Sequence, residues 1–392
     1  MTFTRLICGL ILLLSLTVFA SPGDEYAFEM KWEKKGISDS IEVGLDRDST
    51  FEKEPDLAGN DVMRGILDIG RNLSETKQMA VLWDLTDRKL YLDLNRDGDL
   101  TNDPEGVVSA TEDSDKRNHN FPEINLSLAT ENGEYRYLLK AHIYNSSWYN
   151  EATFTVASCY CATVELNGHK WYIGVNDRLQ GTIDNSSRIR VRPADDSGED
   201  EKPLGYSTNS ISSEPVPGRL FFDGKCYDVA LEYRQTQEYP AVWCKLTERE
   251  VRVGSLKVEG EYVHELVLGD DDTLVIVPLL DEAVSVPVGE YTCREMSLKS
   301  KSDMILSPSR CRDISVVVPD GEQGLLKIGG PLQNSVQVSR AGNVLNFSYA
   351  LKGAGGEEYD SSSITNYDRK KAPKVEIYKG DMLLASGKFE YG

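Results

Sequence analysis

Thr163-Val164-Glu165-Leu166-Asn167-Gly168-His169-Lys170-Trp171-Tyr172-Ile173 decides the fold. Two strand-like runs flank Asn-Gly, the dipeptide that tolerates positive φ at both central positions of a twist-matched two-residue turn. The pattern recurs on both sides. Asn132-Gly133 sits between Leu128-Ala129-Thr130 and Tyr135-Arg136-Tyr137. Asp223-Gly224 sits between Leu220-Phe221-Phe222 and Lys225-Cys226-Tyr227. Further on, Leu345, Phe347, Tyr349 and Leu351 alternate with polar or small residues, as a strand with one buried face requires. Lys379-Gly380-Asp381 closes a terminal hairpin. Leu274 to Val277 and Ile314 to Val318 read as short buried strands, each ended by proline. The weak helical period from Leu73 to Val81 is the exception. The expectation is all-β, with several antiparallel sheet or sandwich modules and very little helix.

Asp93-Leu94-Asn95-Arg96-Asp97-Gly98-Asp99-Leu100-Thr101 carries the chemistry. Oxygen-bearing side chains fall at every second position and a glycine stands sixth, the order of an EF-hand-type calcium loop. Ca²⁺ is a hard cation needing six to eight oxygens. Asp93, Asn95 and Asp97 would give side-chain oxygens, Asp99 its carbonyl, and Thr101 a direct or water-mediated contact. Position twelve is Pro104, so Asp103 or Glu105 must replace the usual closing carboxylate. The flanks, Val81 to Leu85 and Lys89 to Leu92 around a polar turn, read as a hairpin rather than helices. Asp177-Arg178-Leu179-Gln180-Gly181-Thr182-Ile183-Asp184 is a second acidic, glycine-centred turn, in which Asp177 and Asp184 are weaker cation candidates.

Residues 1–20 read as a signal peptide: Arg5, then an apolar run over 6–19 too short for a comfortable membrane span, then Val18-Phe19-Ala20 before Ser21. A secreted, periplasmic or cell-surface protein follows, with no membrane span once this segment is removed. Formal net charge is −21 over 392 residues, and losing Arg5 makes it about −22. Such a field repels nucleic acid and concentrates divalent cations. Six cysteines remain after residue 20, and Cys293–Cys311 is the favoured disulfide, with Cys226–Cys244 next. Cys159 and Cys161 share one strand face. Domain boundaries are read as 21–253, with a subdivision near 115, then sandwiches at 254–325 and 326–392. Val286-Pro287-Val288-Gly289-Glu290-Tyr291 suggests a prealbumin-like or Ig-like C-terminal part.

The layout resembles uncharacterised exported proteins of environmental bacteria. They carry a Leu-Asp-Leu-Asn-Arg-Asp-Gly-Asp-Leu loop (here 92–100), an Asp-Arg…Gly…Asp turn (177–184) and a closing Gly-Lys-Phe-Glu-Tyr-Gly (387–392). The loop also resembles dockerin-type calcium loops, of which this chain has one clear copy. What the resemblance implies is export and calcium, with no assigned activity.

Catalytic signatures are sparse. His119, His142, His169 and His264 lack metal-ligand spacing, and no Gly-x-Ser-x-Gly, His-Glu-x-x-His or phosphate-cradling loop occurs. Trp83, Trp148, Trp171 and Trp243 read mainly as core, with a sugar-stacking face as the alternative. Asp270-Asp271-Asp272 reads as a hairpin tip, and Arg369-Lys370-Lys371 with Lys374 as an edge-blunting basic run. The expected role is a non-enzymatic, calcium-binding β-module protein with a structural or binding part at the cell envelope or surface. Its expected partners are Ca²⁺ and a surface protein or glycan. The alternative is a glycan-binding or glycan-processing protein.

Overall fold

Asn167 and Gly168 take φ of 53° and 81°, and Asp223 and Gly224 take 54° and 74°. Each pair forms the two-residue turn its sequence specifies, with Leu166 opposite His169 and Phe222 opposite Lys225. The first Asn-Gly behaves differently. Thr130 pairs with Gly133, so Gly133 (φ 120°) opens the return strand instead of forming the turn centre.

The structure, a computed structural model, describes residues 25–34, 39–70, 78–111, 117–130, 133–146, 150–184, 186–194, 214–235, 240–277, 282–299, 305–306, 308, 310–342, 344–359 and 374–388. The expected signal peptide, Trp148 and the 369–371 basic run lie outside them. Most of the described residues are in strands, with short 3₁₀ turns at Pro104–Gly106 and Cys311–Asp313. No described helix is long and apolar enough to cross a membrane. Of the weak helix candidate, residues 73–77 lie outside the described set, and the rest belongs to the strand Gln78–Asp84. There Met79 to Leu82 are buried on both faces, so burial and not helical amphipathicity set the pattern.

Sheets divide the labour. A thirteen-stranded sheet runs through most of the chain, joined by a five-stranded sheet, a four-stranded sheet over residues 62–109, and smaller ones. One large core draws on the long sheet (Tyr26, Met30, Trp171, Val242), the five-stranded sheet (Leu126, Phe154) and the four-stranded sheet (Leu67, Trp83, Leu90). This core runs across residue 115, where Trp83 meets Phe121 edge-on at 5.3 Å between centroids. A second core lies between the far end of the long sheet and the strands Val253–Glu259, Val284–Pro287 and Gln323–Lys327. The strands of its smaller sheet fall between residues 253 and 327. Its larger sheet is continuous with upstream chain, because Arg219–Phe222 pairs in parallel with Thr273–Ile276.

Cys293 and Cys311 form the favoured disulfide. Cys226 and Cys244 do not, and both are buried thiols. They lie on adjacent strands, but Cys226 opposes Arg249 while Cys244 opposes Leu231. Five rungs separate them, about 17 Å at 3.4 Å per residue, and they face different cores. Cys159 and Cys161 are also buried thiols, on one face with the Tyr172 hydroxyl 3.5 Å from Cys159 Sγ. Non-reducing peptide mapping is expected to recover a Cys293–Cys311 cross-link and four alkylatable thiols after denaturation. A Cys226–Cys244 cross-link would show the strand register to be wrong.

In the region of the expected C-terminal sandwich, the described strands form a three-stranded and a two-stranded sheet. Val344–Lys352 does alternate, yet Leu345 is 46 % exposed, because its face has only a partial cover. Lys374–Lys379 and Met382–Lys388 form a separate two-stranded sheet.

Candidate metal loop

The loop begins where the strand Lys89–Leu92 leaves the four-stranded sheet. Asp93 is only 2 % exposed, and its N–H donates to the Ala80 carbonyl at 3.1 Å. Its carboxylate reaches across the loop: Oδ1 accepts from the N–H of Asp97 (3.2 Å) and Oδ2 from that of Gly98 (3.0 Å). Gly98 has φ 79°, the left-handed turn that favours glycine. Asn95 Oδ1 also accepts from Asp97 N–H at 2.9 Å, and Asp97 Oδ1 accepts from Asp99 N–H at 2.8 Å. Asp99 Oδ1 accepts from the N–H and hydroxyl of Thr101. Every second side chain thus folds back on the loop's own backbone, winding 93–101 into successive Asx turns.

Both ends are tied down. Leu100 is buried in a small core with Ala80, Leu82 and Tyr91, against which Phe51, Leu57 and Val62 pack. Its N–H donates to the Lys53 carbonyl at 3.2 Å. The Lys53 ammonium lies 2.8 Å from Asp99 Oδ2. That bond, with those from Thr101, lowers the Asp99 pKa to about 2. Gly106 closes the far side so tightly that a Cβ there would lie 2.2 Å from the Leu92 carbonyl oxygen.

Of the two carboxylates able to replace position twelve, Asp103 is the one brought in. Its Oδ1 accepts from Asn95 N–H at 3.3 Å, so it folds back over the loop's start. Its Oδ2 is buried without a hydrogen-bond partner. Burial first, and then the charges of Asp93 and Asp97, push its pKa up. Glu105 is exposed in the following 3₁₀ turn. Sequence reading missed Asn102, whose amide donates to Asp97 Oδ2 at 2.7 Å and whose Oδ1 accepts from Asn95 at 3.1 Å. It also missed Lys53, forty-six residues upstream.

Among the described residues, no three His, Cys, Asp or Glu side chains are gathered into a metal-holding group. The loop's fit to a hard cation therefore rests on donor type and order. Its oxygens are those of Asp93, Asn95 and Asp97, the carbonyl of Asp99, and the desolvated Oδ2 of Asp103.

The second acidic turn is built otherwise. Asp177 is 3 % exposed. Its Oδ2 accepts from the Tyr137 hydroxyl at 2.5 Å and from Thr182 N–H at 3.1 Å, while Gly181 N–H donates to the Tyr137 hydroxyl oxygen at 3.2 Å. Burial raises its pKa to about 6 against these donors. Asp184 instead caps Ser186 through N–H and hydroxyl, at 2.7 and 2.6 Å. The Asp177 carboxylate thus ties the turn to the sheet that carries Tyr137 by accepting from Thr182 N–H and the Tyr137 hydroxyl, and no hydrogen bond joins it to Asp184.

The remaining candidates scatter. His119 lies in the core, 4.9 Å from the Trp83 ring. His169 pairs with Asp223 at 2.9 Å across two hairpin tips. Asp270 Oδ1 accepts from Asp272 N–H at 2.8 Å and Thr273 N–H at 2.6 Å, as a hairpin tip should. Trp83 and Trp171 are core residues, whereas Trp243 lies outside the cores beneath the Arg234 guanidinium, 4.7 Å from its centroid. No protein-family model, curated protein or solved structure matches the chain.

Proposed function

We propose that the protein is an exported, non-enzymatic β-module protein that binds Ca²⁺ in the loop 93–103 and has a structural or binding role at the cell envelope. The observation that carries this reading is Asp103 Oδ2, a desolvated carboxylate oxygen without a partner. It is held against the charges of Asp93 and Asp97 at the end of an oxygen-lined loop. A divalent cation would relieve that repulsion. The loop fastens segment 51–62 to the four-stranded sheet through Leu100 and Lys53, so occupancy would stiffen this corner of the fold.

Lacking the bidentate glutamate, the site belongs at the weak, extracellular end, with a dissociation constant on the order of 10⁻⁴ M or above. At 10 mM Ca²⁺ such a site adds about 2.7 kcal/mol of stability. Thermal melting is expected to rise with CaCl₂ and to return on adding EGTA. A melting temperature indifferent to millimolar Ca²⁺ ends the proposal.

Asp103→Asn separates ligand from scaffold. In EGTA, melting is expected to hold or rise, because an ionised carboxylate is lost from a site that disfavours it. The response to Ca²⁺ is expected to fall about tenfold in affinity. Glu105→Gln should change neither quantity.

A further inference from the structure

The strand Gln333–Ala341 is the longest at the margin of any sheet among the described residues. It pairs with Val344–Lys352 on one side, and no described strand pairs with the other. Proteins normally blunt such edges by shortness, proline, charge or a bulge. Several other edges here follow that rule, although Ile124–Thr130, two residues shorter, does not. Glu214–Pro215 and Ile305–Leu306 are two residues long, and Val284–Pro287 ends in proline. Lys374–Lys379 carries Lys374, Glu376 and Lys379, and its partner strand has a register break. Gln333–Ala341 has no proline and no register break, with Arg340 as its single charge.

Its faces are sorted. Val336 opposes Tyr349 and Val338 opposes Phe347, so the valines share a face with Leu345. Val336, Val338 and Leu345 are 48 %, 57 % and 46 % exposed. Only the base of the hairpin is anchored, through Leu351 and the neighbouring Leu332 and Tyr359, to the second core. Residues 333–352 contain Arg340 and Lys352 but no acidic residue, in a chain of net charge −21. The repulsion that would keep copies of an acidic protein apart is absent from this one surface.

We propose that Gln333–Ala341 is the dimerisation edge of this protein, pairing antiparallel with the same strand of a second copy. The sequence is self-complementary about Gln337. A two-fold axis there sets Val336 opposite Val338 in both senses, Ser335 opposite Ser339 and Asn334 opposite Arg340. No charge meets a like charge, and the two apolar faces merge into one six-stranded sheet. Such an isologous contact closes on itself and makes dimers rather than filaments.

Because Gln337 faces its own copy, it provides the test. Light scattering after size exclusion should show a concentration-dependent dimer of the purified protein. Association should tighten as NaCl rises, since salt screens the repulsion between the two acidic bodies. Gln337→Lys and Gln337→Glu each place like charges in direct opposition, and each alone should weaken the dimer about tenfold or more. Mixed one to one, they should form a heterodimer at least as tight as the parent. The rescue also shows that both variants are folded. A parent protein that stays monomeric at all concentrations and salts overturns the proposal. So does a dimer that neither variant weakens, or a mixture that does not recover.

Discussion

Asp177→Ala is expected to cost about 3–5 kcal/mol at pH 4.5, since it strands the buried Tyr137 hydroxyl and the Thr182 N–H at once and leaves a cavity beside them. The cost should be smaller at pH 8. Asp177 has a folded pKa of about 6 against an ordinary 3.8, so the folded state holds the extra proton between those values. A carboxyl raised in the folded state favours folding most at low pH, and that advantage fades as pH rises through the folded value. Two units correspond to about 3 kcal/mol. The stability difference between parent and Asp177→Ala should therefore shrink by roughly 3 kcal/mol from pH 4 to pH 7. Taking the difference removes the pH response shared by the other sixty-odd carboxylates. Denaturant unfolding at a series of pH values measures it. A difference flat with pH would mean that Asp177 is no more desolvated than a surface aspartate.

That role illustrates what a sequence carries and what it withholds. Asn167-Gly168 and Asp223-Gly224 were legible because a turn's backbone is a local matter, decided by which residues accept positive φ. So was the order of oxygens from Asp93 to Thr101. The function of Asp177 was not, because it depends on Tyr137, forty residues away and on another sheet. By local spacing alone Asp177 resembles a cation ligand. In the fold its Oδ2 also holds the Tyr137 hydroxyl and the Thr182 N–H, and no local spacing carries the bond to another sheet. The Cys226–Cys244 pairing failed for a related reason. Both thiols lie on neighbouring strands as expected, but a register of five rungs and a change of face cannot be read from spacing. The alternation at Leu345 to Leu351 identified an apolar face correctly. It could not say whether the same chain covers that face, and here the distal half stays exposed.

Within the loop, Asp93→Ala is the decisive substitution. Asp93 is the one member that is both buried and bonded across the turn, to the N–H groups of Asp97 and Gly98. Alanine leaves those donors without a carboxylate, at about 2–3 kcal/mol even in EGTA. In 10 mM Ca²⁺ the parent should gain a further 2.7 kcal/mol or so that the variant cannot. The gap between them then approaches 5 kcal/mol, roughly twice its EGTA value. Lys53→Met provides the contrast. It removes an exposed ion pair from Asp99, whose expected ligand is its carbonyl and not its carboxylate. The Ca²⁺ response should survive that change, because a surface pair adds little. If Asp93→Ala loses stability yet still melts higher in Ca²⁺ by the parent's increment, the ion binds elsewhere. The loop would then be a structural knot of Asx turns and nothing more.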